Sequence, residues 1–269
     1  MTDGENSGEP SHPPLAGVVL AAGAGARLWP LTRERAKALC PVGNRLLVDL
    51  AIERVRSVVG AVAVNVHHHR LQVEEHLARH HRDVTVSVEE PTALGTAGAL
   101  GELRGWLDGR GALVTNSDAW LPVAPGEVAS FVAGWDGERS RLWCVTDPAR
   151  GDFGDHRYIG VALVPWSVIR GLAARPSGLY EASWRHEEVA GRLDLVTHRG
   201  PFTDCGTPRD YLTANLASEG ATAQGVIAPG ARVEGEVVRS VVWPGARVWP
   251  AERLVDAIRT PAQTVLIRP

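Results

Sequence analysis

The chain has 269 residues and a mass of 28.8 kDa, with 44% hydrophobic and 22% charged residues and a formal charge of −3. That length suits one large α/β domain plus a small appendage. The near-neutral balance provides no basic field for nucleic acid and no polybasic tether for a membrane, and no apolar run reaches spanning length. Three widely spaced cysteines, Cys40, Cys144 and Cys205, have no paired metal spacing and read as reduced thiols of a cytoplasmic protein.

The first fourteen residues are acidic and rich in Gly, Pro and Ser, the composition of a disordered tail; without a basic n-region they do not read as a signal peptide. Ala16–Ala22 (AGVVLAA) is a continuous apolar run that ends in glycines, as a buried parallel strand does. Across 45–59 (RLLVDLAIERVRSVV) the apolar spacing predicts a core-facing helix. A strand follows at 61–66, a helix at 71–80, a strand at 84–88, a helix at 96–107, and a strand at 112–115 that runs into Asn116-Ser117-Asp118. Alternating strands and helices imply an open, mostly parallel, Rossmann-like sheet with helices on both faces over 15–220. Ligands of such sheets bind beyond the carboxyl ends of the strands, where both the glycine turn after Ala22 and Asp118 fall. After about Gly220 the pentapeptide PGARV occurs twice (229–233, 244–248), and apolar residues recur six apart. This predicts a short stacked β-coil over 221–269, too small to bury a core alone and so expected to lie on the main domain or on a second copy of the chain.

Lys37 is the single lysine; the other 27 of the 28 basic residues are arginine. A compact ammonium on a flexible stem can follow a moving phosphate oxygen in a way a planar guanidinium does not. It stands fourteen residues after Gly23, in the turn Ala21-Ala22-Gly23-Ala24-Gly25-Ala26-Arg27. Small residues there let backbone N–H groups approach a phosphate, and Arg27 adds charge. Leu28 occupies the position of the third dinucleotide-fold glycine, and no Gly-Lys-Ser/Thr follows, which disfavours an NAD(P) oxidoreductase and a P-loop. Asp118 and Asp204, the latter just before a Gly-Thr-Pro turn that opens a helix at 209–216, are strand-end carboxylates suited to Mg²⁺, which takes a few carboxylates plus phosphate oxygens. His67, His68, His69, His76, His80 and His81 read as solvated surface: three consecutive histidines cannot aim at one ion, and no acid completes a zinc motif around His76 and His80. The scattered tryptophans read as packing residues.

Together, VVLAAGAGARLWPLTRERAKALCPVGNRLLVDLAIERV (18–55), EEPTALGTAGAL (89–100), LVTNSD (113–118) and GPFTDCGTPRDYLTAN (200–215) resemble, in order, the motifs of the sugar-1-phosphate nucleotidyltransferases. The resemblance implies the nucleotidyltransferase fold with a left-handed β-helix-like C-terminal appendage. It also implies the reaction: an NTP and a sugar-1-phosphate give an NDP-sugar and pyrophosphate, with Mg²⁺ as cofactor. Carried over by position, Leu20, Ala21, Ala22, Gly23 and Gly25 would cradle base and phosphates, and Arg27 would hold the leaving pyrophosphate. Lys37 would meet the α-phosphate, Asp118 and Asp204 would hold the metal, and Glu90, Gly95 and Thr96 would line the base and ribose pocket. The segment 89–100 is most similar to mannose-1-phosphate guanylyltransferases, and a carboxylate there can accept from guanine N1–H and N2–H, which points to GTP. Three departures stand out. Arg35-Ala36-Lys37 replaces Arg-Pro-Lys, Ser117 replaces a Gly or Ala, and the mid-chain Glu-Lys-Pro of the sugar site is absent, leaving Gly160 and Glu181 as sugar-site candidates. The competing reading is a non-catalytic nucleotide-binding regulator, set against the retention of every nucleotide and metal residue.

Overall fold

The computed structural model describes residues 12–268. The expected tail lies outside the described residues up to 11; at its end Pro14 is already fixed, its carbonyl accepting from Gly111 N–H at 3.0 Å. The core is a seven-stranded sheet. Leu15–Leu20 lies at its centre, parallel to Val62–Val66 on one side and to Gly111–Asn116 on the other, and Thr85–Val88 extends the first side in parallel. Beyond Gly111–Asn116 the direction reverses: His156–Val164 runs antiparallel to it and to Arg141–Thr146, which pairs in parallel with the edge strand Asp194–Thr197. The sheet is therefore mixed but mostly parallel, as the alternating pattern implied. The central strand is apolar throughout because both faces are covered. Val19 packs with Ile52, Val55 and Val64 under the helix Leu47–Arg56, while Val18 packs with Leu100, Leu107 and Val114 on the opposite face.

The predicted helix over 45–59 begins two residues later than expected. Arg45–Leu46 pairs antiparallel with Pro41–Val42 across Gly43-Asn44, both in the left-handed region (φ 57° and 66°). A Gly-Asn pair with two positive φ angles is the signature of a two-residue hairpin, and helical periodicity does not register it. The helix expected over 96–107 is two pieces, Gly95–Glu102 and Arg104–Leu107.

After the helix Pro208–Leu216 the chain winds into short parallel strands. Gly225–Ile227 pairs with Ser240–Val242, which pairs with Ala257–Arg259; Arg232–Val233 pairs with Arg247–Val248. The two PGARV copies are thus stacked in register. This segment lies on the main domain. Trp243, 1% exposed, shares a cluster with Leu28, Leu31 and Tyr211, and its indole N–H donates to the Tyr211 hydroxyl at 2.9 Å. Gln263 donates to the Pro30 carbonyl and to Glu34, and Thr260 also bonds Glu34. The coil therefore braces the 30–34 turn between Arg27 and Lys37.

Candidate active site

The site is built where the central strands end. Leu20 closes the first strand, and Ser117 N–H donates to its carbonyl at 3.0 Å, tying the Gly111–Asn116 strand end to the glycine turn. Ala21 leaves the ladder and donates instead to Asn65 Oδ1 at 2.7 Å. Asn65 in turn donates to Glu89 Oε1 at 2.7 Å, and Glu89 Oε2 accepts from Leu94 N–H at 2.7 Å. Asn65 and Glu89 are 3% and 1% exposed, so one buried relay sets both the glycine turn and the loop before Gly95. The signal for it was a lone Asn inside the apolar run VAVNV, which sequence reasoning passed over.

The turn itself is shaped by Gly25, whose φ of 62° and close neighbours (a Cβ there would lie 2.7 Å from Thr32 Cγ2 and 3.0 Å from Lys37 Cβ) admit no side chain. At Gly23 a Cβ would meet no protein atom within 4 Å, so the space over that residue is open to a ligand. Gly95, φ 69°, starts the Gly95–Glu102 helix against the Ser177 carbonyl, 2.6 Å from where a Cβ would lie. Thr96 Oγ1 accepts from Leu179 N–H at 2.8 Å.

Two cavities meet at Asp118. The first, about 220 Å³, is lined by Leu20, Ala21, Ala22, Gly23, Lys37, Asn65, Gly95, Thr96 and Asp118. The second, about 260 Å³, is lined by Arg27, Asn116, Asp118, Asp152, Arg157, Gly160 and Asp204. Lys37 Nζ sits 2.5 Å from Asp118 Oδ2, with the lysine side chain 10% exposed. Arg27, largely exposed, approaches Asp204 at 3.4 Å. The two aspartates converge because Thr203–Asp204 pairs antiparallel with Ala119–Trp120, setting Asp204 opposite Ala119, and Cys205 N–H donates to the Asp118 carbonyl at 3.0 Å.

That donor set fits a hard divalent cation. Asp118 immediately precedes the Ala119–Trp120 strand and Asp204 lies on the strand paired with it; both line the second cavity, each beside a basic side chain, and the remaining oxygen ligands would come from phosphates and water. Members of this family generally use a divalent metal ion.

Two expected site residues lie elsewhere. Glu90 lines neither cavity; its half-exposed carboxylate pairs with Arg70 Nε at 2.8 Å. Glu181 is exposed on the Tyr180–Trp184 turn and lines neither cavity, whereas Gly160 does line the second. Asp152 and Arg157 are there too, and neither was singled out from the sequence. Within the histidine group His68, His69 and His80 are exposed, as expected, but His76 and His81 are not simply solvated surface. His76 Nε2 and His81 Nε2 stand 2.7 Å and 2.8 Å from Asp49 Oδ1, an acid from another helix that periodicity within 71–80 could not supply. Arg56 donates to His81 Nδ1 at 3.2 Å, so that nitrogen is the acceptor and Nε2 carries the proton toward Asp49. The three cysteines are buried and unpaired, and burial pushes the Cys40 and Cys144 thiols up to about 12. Among the described residues no helix is long and apolar enough to cross a membrane.

Comparison with known proteins agrees with this geometry. Residues 16–146 match the family model described as nucleotidyl transferase. An N-acetylmuramate alpha-1-phosphate uridylyltransferase of Caulobacter vibrioides is 37% identical over 247 residues, covering 80% of this chain and 99% of that protein. A mannose-1-phosphate guanyltransferase of Neurospora crassa is 27% identical over 230 residues, and the match spans 74% of this chain and 63% of that protein. In structure, a Bacillus anthracis protein named as a glucose-1-phosphate thymidylyltransferase superposes with a TM-score of 0.63 at 20% identity, over 77% of this chain and 96% of that one, a likeness of fold. With the glycine turn, the lone lysine and the paired aspartates at one strand-end cleft, the chain belongs to the sugar-1-phosphate nucleotidyltransferases.

Proposed function

We propose that the chain transfers a uridylyl group from UTP to a sugar-1-phosphate, releasing pyrophosphate. The observation that carries the transfer is the convergence of Lys37, Asp118 and Asp204 between two cavities, one on the glycine-turn side and one on the Arg157 side. An oxygen of the acceptor phosphate attacks the α-phosphorus; the bond from that phosphorus to the α,β-bridging oxygen breaks, and pyrophosphate leaves with the electron pair. In this reading Lys37 exchanges Asp118 for the α-phosphate and Arg27 exchanges Asp204 for the leaving group. Asp118 and Asp204 would hold Mg²⁺, which supplies charge neutralisation for the phosphates. Catalysis of this kind is alignment and electrostatics.

UTP replaces the GTP expected from the sequence for two reasons. The carboxylates meant to read guanine are engaged: Glu89 is buried between Asn65 and Leu94, and Glu90 holds Arg70. The relative that the chain covers almost end to end is a uridylyltransferase. On the acceptor side Arg157, paired with Asp147 at a loose 3.5 Å, suits a sugar that carries a carboxylate, as N-acetylmuramate does. Pyrophosphate release, measured for four NTPs against N-acetylmuramate-, mannose- and glucose-1-phosphate with Mg²⁺, tests the reading. UTP with the acidic sugar should lead. Preference for GTP with mannose-1-phosphate would restore the guanylyl reading, and nucleotide binding without turnover on any sugar would favour the regulator.

A further inference from the structure

Among the described residues Arg54 is the most buried arginine or lysine, and it lines neither cleft cavity. It sits in the last turn of the Leu47–Arg56 helix, 4% exposed. Its Nη1 donates to Thr115 Oγ1 at 2.7 Å, and its Nη2 donates to the Ala119 carbonyl at 3.0 Å, with the Leu121 carbonyl at 3.4 Å. Its Nε is buried with no hydrogen-bond partner, and among the described residues no carboxylate pairs with it. Desolvation lowers its pKa to about 10, so it remains charged at neutral pH. Buried charges are ordinarily paired, and an uncompensated one is costly. The three oxygens it binds bracket Asp118: Thr115 is three residues before it, Ala119 follows it, and Leu121 comes just after the short strand. That strand, Ala119–Trp120, is also the one that pairs with Thr203–Asp204. One guanidinium therefore grips the backbone that presents both metal-binding carboxylates.

We infer that Arg54 is a positioning residue for the metal site: from beneath the sheet it fixes the Ala119–Leu121 backbone and through it the separation of Asp118 and Asp204. The inference rests on the metal assignment made above and adds a residue that touches neither substrate nor metal. Thr115 presents its hydroxyl, and Ala119 and Leu121 their carbonyls, to the one guanidinium, so its loss frees the strand that sets the carboxylates. A planar fork spreads its donors in fixed directions over separated acceptors, whereas the three donors of an ammonium radiate from one nitrogen. A third cavity, about 530 Å³ and lined by Arg54, Ser57, Trp120, Leu121 and Val128 among others, reaches this side chain and shares no lining residue with the two cleft cavities. A small cation can therefore reach the position from solvent.

The test measures binding of Mn²⁺ by electron paramagnetic resonance, without nucleotide, in the full chain and in Arg54→Met, Arg54→Lys and Arg54→Ala. Loss of an outer-shell contact typically weakens metal binding 10–100-fold, so Arg54→Met should bind Mn²⁺ at least about tenfold more weakly with its near-ultraviolet circular dichroism retained. Arg54→Lys should fall between it and the parent. Millimolar guanidinium chloride, entering the third cavity, should restore Mn²⁺ binding to Arg54→Ala while equal NaCl does not. Should Arg54→Met fail to fold, the lysine variant and the guanidinium rescue decide. A folded Arg54→Met with parental Mn²⁺ affinity, or rescue no better than that by NaCl, overturns the inference. The parent's own turnover reads the proposed function and Mn²⁺ affinity reads Arg54, so each can fail without the other.

Discussion

Replacing Lys37 by arginine keeps the charge and changes only its shape, which makes it the sharpest perturbation of the site. In the structure Lys37 makes one charge-assisted contact to Asp118 Oδ2, inside a space that leaves the side chain 10% exposed. A guanidinium would engage both Asp118 oxygens, and a second hydrogen bond to a charged group contributes about 1.5–3 kcal/mol. The metal would have to displace that pair, so half-saturating Mg²⁺ should rise by roughly 10–100-fold, since 1.4 kcal/mol is a factor of ten. Loss of the mobile contact to the α-phosphate should also lower kcat by about 10²–10³. Lys37→Met separates the two effects: kcat falls comparably, but Asp118 is left unpaired and the Mg²⁺ requirement does not rise. Initial rates of pyrophosphate release over a Mg²⁺ titration read both quantities. A Lys37→Arg enzyme within about threefold of the parent in kcat and in half-saturating Mg²⁺ would refute the role given to Lys37.

Three further outcomes follow from the packing. Gly95→Ala forces a Cβ to 2.6 Å from the Ser177 carbonyl at a φ of 69°, and strain of this kind costs about 1–3 kcal/mol. It should lower the melting temperature and abolish the stabilisation by UTP; an unchanged UTP-induced shift would remove Gly95 from the nucleotide cavity. Trp243→Ala empties a buried site between the coil and the main domain and should destabilise by about 3–5 kcal/mol in denaturant titrations, and a loss below about 1 kcal/mol would mean the coil docks weakly. Cys40 keeps its proton to about pH 12 when folded, whereas the unfolded thiol loses it near 9. Between those values the unfolded chain binds fewer protons, so stability falls as pH rises, by about 1.4 kcal/mol per pH unit from this thiol. Cys40→Ala should flatten the alkaline limb by that slope, and parallel limbs would contradict the buried-thiol account.

Much of the fold was legible because the relevant signals are local. AGVVLAA suits a buried parallel strand, as Leu15–Leu20 is, and the turn residues after it marked the strand end. Lys37 was found by composition alone, a lone lysine among arginines, and it lies against Asp118. What stayed hidden depends on partners distant in sequence. Asp49 completes the His76 and His81 cluster from another helix, and Glu90, expected to line a base pocket, pairs with Arg70, twenty residues earlier. The Asn65–Glu89 relay joins three segments, and no periodicity within one of them announces it. The hairpin at 41–46 was hidden for the opposite reason: its Gly-Asn turn is local, but the apolar spacing of the helix behind it overwrote the signal.

The central claim is that this cleft joins a nucleotide's α-phosphorus to a sugar phosphate. Incubation with α-³²P-labelled UTP, N-acetylmuramate-1-phosphate and Mg²⁺, followed by chromatography of the products, reads that bond directly. The account predicts label in a nucleotide-sugar, dependent on the sugar phosphate and on Mg²⁺ and lost in Asp118→Asn and Asp204→Asn. Label that stays in the NTP whichever α-labelled NTP and acceptor are supplied, or that enters the product equally well in Asp118→Asn, would contradict it.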